Sequence, residues 1–124
     1  MPNLFDNLPA DGEKLSEERI RSIVSQDGVT IEQIVSTGHS SPEGFWYDQE
    51  THEFVIVLAG EGVLEYPNGE ELTMRKGDFC FIPAHTRHRV RSTAADATTL
   101  WLAVHFPPRN TSESPAEATS HTGD

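Results

Sequence analysis

Cysteine occurs once in this chain, at Cys80, so no disulfide can close within it. Cys80 sits in the apolar run Phe79-Cys80-Phe81-Ile82 and reads as a small buried hydrophobe rather than a reactive thiol. Lysine is nearly as scarce. Only Lys14 and Lys76 are present, and every other basic residue is an arginine. No stretch approaches the ~20 apolar residues of a membrane-spanning helix. The start, Met1-Pro2-Asn3-Leu4-Phe5-Asp6, lacks the basic head and apolar run of a secretory leader. A soluble, cytoplasmic protein is therefore expected. Positive charge is short overall: 9 Lys and Arg against 20 Asp and Glu leave a formal net charge of −11. So acidic a surface repels nucleic acid and anionic membranes, and neither is expected as a partner. A Gly-rich phosphate loop, a Cys-x-x-Cys pair and a Gly-x-Ser-x-Gly elbow are all missing, so serine or cysteine hydrolase chemistry has no support.

What is present fills one modest domain, as 124 residues suggest. Residues 1–16 are polar, with Pro2, Pro9 and Gly12, and read as an N-terminal arm whose Leu4, Phe5 and Leu8 can pack on the rest. Residues 107–124 open on Pro-Pro and then carry no apolar side chain larger than alanine. They cannot offset the entropy of ordering, and a disordered C-terminal tail is expected, with His121 solvated in it.

Between them, residues 17–106 read as strand after strand. Asp27-Gly28 lies between the apolar stretches Ile20–Val24 and Val29–Val35, a strong hairpin signal. A short helix over 16–25 is the competing reading of the first arm. Phe45-Trp46-Tyr47 suits a strand by composition. Further strands are expected at 54–59, 63–66, 72–74, 79–82, 88–90 and 98–106, punctuated by Gly60, Gly62, Pro67-Asn68-Gly69, Gly77 and Pro83. Short strands at this spacing predict an all-β sandwich or barrel. Phe54-Val55-Ile56-Val57-Leu58 and Leu100-Trp101-Leu102-Ala103-Val104 are apolar on both faces, so each needs a cover outside the barrel. The arm or a second subunit would supply it, and a homodimer is expected.

Two motifs carry a resemblance. Glu53 is followed after six residues by Gly60, and Gly77 after five by Pro83, with His88 five places beyond that proline. In this order, on an all-β pattern, they resemble the second half of the first motif and the whole second motif of the cupin family, over about 29–106. The resemblance implies a small double-stranded β-helix, or jelly-roll barrel. Physical reasons agree: Gly60 and Gly77 permit sharp turns, and Pro83 ends a strand before the loop that delivers His88. A buried glutamate is costly unless it is paired or on a metal. The family's barrel implies one divalent ion, with Glu53 and His88 as ligands.

The usual His-x-His that opens the first motif is absent. A three-residue spacer puts Tyr47 and Gln49 in those places; a four-residue spacer puts Trp46 and Asp48 there. Gln49 can offer a carbonyl oxygen, while a tyrosine hydroxyl, with an ordinary pKa of about 10, is a poor ligand. His39, His52, His85 and His105 are candidates to complete the set, each also readable as a structural histidine. Strand alternation turns His52 away from Glu53, and places His105 on a face with Trp101 and Ala103. The expected set is Gln49, Glu53 and His88 with His85. Such a site is rich in oxygen donors, which favours Mn, Fe or Ni, with Zn also admissible. In the aromatic segment, Tyr47 and Asp48 are the candidates to move a proton, against a plain packing role. Arg87, Arg89 and Arg91 alternate with His88 and are expected to face outwards, salt-bridged or solvated. Two function classes stay open. One is a metal-dependent enzyme (oxygenase, isomerase or lyase) acting on a small organic molecule. The other is a non-catalytic cupin that binds or senses a small ligand, with or without metal.

Overall fold

A computed structural model describes residues 1–109, and the tail expected beyond them lies outside the described residues. Eight strands carry the fold: β1 (Arg19–Gln26), β2 (Val29–Ser36), β3 (His52–Ala59), β4 (Glu61–Glu65), β5 (Glu71–Arg75), β6 (Phe79–Ile82), β7 (Arg89–Thr93) and β8 (Thr99–Phe106). Among the described residues there is no helix, so none is long and apolar enough to cross a membrane. A five-stranded sheet runs β1-β2-β8-β3-β6 and a three-stranded sheet runs β5-β4-β7, with every pairing antiparallel. The first arm is thus a strand, not a helix. Asp27 and Gly28 join it to β2 with φ of 54° and 82°. Two successive positive φ values match the twist of a two-residue hairpin, which is why Asp-Gly serves there.

The core lies between the two sheets. Val55, Val57, Ile82, Trp101 and Ala103 from the large sheet meet Leu64 and Met74 from the small one. Gly62 is more than punctuation. A side chain there would run into the six-membered ring of Trp101, so the β4 backbone can lie against the indole only as glycine. Cys80 is half-buried, its Sγ 3.9 Å from the Met74 sulfur, and burial first, with the Glu53 charge second, pushes its thiol pKa up to about 11.

The outer face of the large sheet has two parts. At one end Val35 and Leu100, cross-strand partners, are fully buried. The N-terminal arm crosses this end. The Gln33 amide donates to the Leu4 carbonyl, Thr98 Oγ1 donates to the Pro9 carbonyl, and the Leu15 N–H donates to Thr37 Oγ1. At the other end Phe54, Phe79, Phe81 and Phe106 pack on one another, yet Phe79 stays 62% exposed.

One expectation needs correction. Phe45-Trp46-Tyr47 is not a strand. It belongs to the long connection from β2 to β3 and makes a single antiparallel bridge, Tyr47 to His88. That connection still closes the barrel: Ser41 N–H donates to the Val90 carbonyl, Tyr47 and His88 exchange backbone hydrogen bonds, and His85 N–H donates to the Gln49 carbonyl.

Candidate functional site

Inward-facing residues of β2, β3 and β8 share rows across the large sheet. Thr30, His105 and Glu53 are successive cross-strand partners, and Glu32 lies one inward step along β2. The barrel mouth therefore collects side chains from distant parts of the sequence around a cavity of about 470 Å³. Tyr47, Gln49, Glu53, His88 and His105 all line it, with Glu18 and Glu32. The apolar part of its wall comes from Ile34, Val55, Leu64, Ile82 and Trp101.

At its floor Glu53 and His88 face one another, with Oε1 3.5 Å from Nε2 and only 11% and 6% of their side chains exposed. The other ring nitrogen, Nδ1, lies 2.8 Å from the Thr86 carbonyl. A carbonyl only accepts, so Nδ1 carries a proton and donates it. Nε2 is then the nitrogen that gains and loses a proton towards Glu53. Burial alone pulls the His88 pKa down. The Glu53 hydrogen bond, the Thr86 carbonyl and the Glu53 charge together outweigh it and hold His88 above the ordinary histidine value of 6.5. The Tyr47 ring stacks on His88, with centroids 5.4 Å apart. Burial, then the charges of Glu18, Glu53 and Glu32, raise its hydroxyl pKa. Tyr47 thus stays protonated at neutral pH and can donate a hydrogen bond into the cavity.

The candidate histidines part company. His105 lines the cavity and pairs with Glu32 at 3.2 Å. His52 faces outwards, as alternation requires. Its Nδ1 accepts the Ala84 N–H, and its ring packs between Phe81 and Phe106. His39 uses both ring nitrogens on backbone, accepting from Thr37 N–H and meeting the Leu15 carbonyl. His85 does not turn into the cavity. A positive φ of 62° points it back to Asp48, 3.0 Å away, on the exposed rim. Asp48 is held there too. The expected quartet of Gln49, Glu53, His88 and His85 is therefore not assembled around one point. The described residues gather no group of three His, Cys, Asp or Glu side chains able to hold a metal ion.

Arg87 and Arg89 lie over the Trp46 ring, at 5.8 and 5.9 Å from its centre, while Arg89 pairs with Glu65 and Arg91 with Glu71. Glu18 and Glu32 escaped the motif-based search. The only local signal for Glu32 is its parity with Thr30 and Ile34; which strands lie beside β2 is not written locally.

The fold finds relatives. Residues 32–105 match the family profile described as a Cupin domain. The chain belongs to the cupin family. A Ralstonia eutropha protein of known structure, provisionally named a mannose-6-phosphate isomerase, is 38% identical, with 87% of this cupin and 98% of that chain covered and a TM-score of 0.81. A cupin superfamily protein from Desulfitobacterium hafniense is 15% identical, with 77% and 83% covered and a TM-score of 0.65. The cupin domain of an XRE family transcriptional regulator from Enterobacter cloacae is 16% identical, with 74% and 98% covered and a TM-score of 0.62. These last two share the fold. No curated protein matches this cupin.

Proposed function

We propose that this cupin binds a small organic molecule in the barrel cavity and moves a proton on it, in the manner of an isomerase. The observation that carries the reading is the shielded Glu53–His88 pair at the floor of a cavity of about 470 Å³. A carboxylate beside an imidazolium supplies a proton acceptor and a proton donor within reach of one another. Proton-transfer isomerisation asks for both, one to remove a proton from carbon and one to protonate oxygen. Tyr47 donates a hydrogen bond to hold a substrate oxygen, and Gln49 offers an amide beside it. Asp48, paired with His85 on the exposed rim, has no part in this proton step. The 38% identical neighbour, provisionally named an isomerase, supports the reaction class. Solvent deuterium should enter the carbon-bound positions of a turned-over hydroxy-aldehyde or ketose, and Glu53→Gln should abolish that exchange. Exchange that survives the substitution would sink the reading.

A second reading keeps a divalent cation, Mn, Fe or Ni before Zn. Its support is that Gln49, Glu53, His88 and His105 line one cavity. It requires these donors to converge more closely than they do here. Element analysis of untagged protein separates the two readings: a stoichiometric metal favours the cation.

The homodimer belongs to the same proposal. The outer face around Phe54, Phe79, Phe81 and Phe106 is aromatic and uncharged on a chain of net charge −11, which suits a second copy of itself. Phe79→Asp should convert a dimer to a monomer by light scattering, and an unchanged mass would remove this face as the interface. The single thiol suits a reducing, cytoplasmic setting.

A further inference from the structure

We infer that the cavity takes a small molecule with a cationic nitrogen, an ammonium or guanidinium group, and excludes phosphate esters. The inference rests on the cavity being the ligand site, and names the chemistry of what enters it. Three carboxylates face the space: Glu18 just before β1, Glu32 on β2 and Glu53 on β3. Among the described residues, the only side chains in its wall able to carry positive charge are His88 and His105. Each imidazole is already matched to a carboxylate, His88 to Glu53 at 3.5 Å and His105 to Glu32 at 3.2 Å. With both imidazoles protonated, the wall still keeps at least one net negative charge. With either neutral, it keeps more. Glu18 is the carboxylate left over, since the group that donates to it is the uncharged Ser36 hydroxyl.

Phosphate recognition commonly draws on arginine or lysine side chains, or on the backbone N–H groups of a helix N-terminus. Neither is available among the described residues: no lysine or arginine lines the cavity, and there is no helix. The arginines of β7 next to the mouth are engaged elsewhere, Arg89 with Glu65 and Arg91 with Glu71. A phosphate would meet net negative charge with only neutral donors, such as the Tyr47 hydroxyl and the Gln49 amide, to offset it. An ammonium would meet carboxylates from three chain segments. The apolar wall of Ile20, Ile34, Ile82, Val90 and Trp101 suits a hydrocarbon body behind that charge. The raised pKa of Tyr47 agrees, because the fields of Glu18, Glu53 and Glu32 add to burial at its hydroxyl. The ligand chemistry therefore departs from the sugar phosphate named for the Ralstonia neighbour.

The test uses full-length protein and two matched triplets near neutral pH: butylamine, butanol and butyl phosphate, then mannosamine, mannose and mannose-6-phosphate. Binding is read by NMR from the Trp101 indole N–H, which donates to Ser36 in the barrel wall, and from the ring signals of His88 and His105. Within each triplet the amine should bind more tightly than the phosphate ester by roughly tenfold or more, with the alcohol between. Glu18→Gln should reduce that preference several-fold. Glu32→Gln should do the same and serves if the first variant folds poorly. Glu43→Gln, an exposed carboxylate outside the cavity, should leave it unchanged. A phosphate ester that binds as tightly as its amine, or a preference unaltered by both cavity variants, overturns the inference alone. Signals that stay still with all six probes overturn the cavity as ligand site, and this inference with it.

Discussion

Two histidine–carboxylate pairs lie close together in sequence and far apart in environment. His85 meets Asp48 at 3.0 Å on the rim, with 65% and 51% of their side chains exposed. His88 meets Glu53 at 3.5 Å on the cavity floor, with 6% and 11% exposed. The rim pair is the shorter, yet water screens it and it contributes little. The floor pair is longer but desolvated, so its charges act on each other and on any ligand with much less screening. The lesson is that burial, rather than distance, decides which pair can do chemistry. One short connection after Pro83 delivers both histidines, and a single positive φ at His85 accompanies its outward turn.

The sharpest way to break the comparison is to disable the floor. Glu53→Gln should abolish proton-transfer activity and, by leaving His88 without its carboxylate, destabilise the fold by about 1–3 kcal/mol in chemical denaturation. An active, equally stable Glu53→Gln protein would mean the floor pair is ornamental.

The pH dependence sharpens the same contrast. Folding raises the His88 pKa above its ordinary 6.5, so the native state holds that proton more tightly than the unfolded chain. The resulting stability is fully present below the ordinary value and is lost as pH rises through the raised one. Unfolding free energy of wild type should therefore fall as pH rises past the ordinary histidine value and through the raised one. Glu53→Gln should flatten that slope and Asp48→Asn should keep it. A slope that persists in Glu53→Gln would assign the titration to another group.

Gln49→His asks whether the floor can be turned into a metal centre. It would put a third imidazole in the wall, in addition to those of His88 and His105. Nickel affinity should rise roughly tenfold or more over wild type in isothermal titration, imidazole being a better donor than an amide. Unchanged affinity would mean that position 49 does not point at the pair. The smallest effect is expected at the rim, where Asp48→Asn should change stability by less than about 1 kcal/mol. A larger loss would show that the rim pair holds the connection from β2 to β3 in place.

Much of this was legible in the sequence, and the losses have physical causes. Asp27-Gly28 specified its hairpin because the turn needs two positive φ values. Alternation along β3 separated His52 from Glu53, since adjacent residues on a strand must face opposite ways. The spacing of Glu53, Gly60, Gly77, Pro83 and His88 indicated the barrel, and Glu53 and His88 do face one another. Phe45-Trp46-Tyr47 was misread as a strand because strand composition does not reveal that only one residue finds a backbone partner. The rim direction of His85 depends on one backbone dihedral that no residue type announces. Glu18, Glu32 and His105 gather only through the order β1-β2-β8-β3, which sets the first two strands beside the last.

The account turns on His88, and its ring nitrogens report on it directly. In a pH titration of metal-free protein followed by ring-nitrogen NMR shifts, Nδ1 should stay protonated throughout, held by the Thr86 carbonyl. Nε2 should lose its proton above the ordinary histidine value, and in Glu53→Gln that midpoint should drop. A wild-type midpoint at or below 6.5, or one that Glu53→Gln leaves in place, would show that Glu53 and His88 are not a working pair.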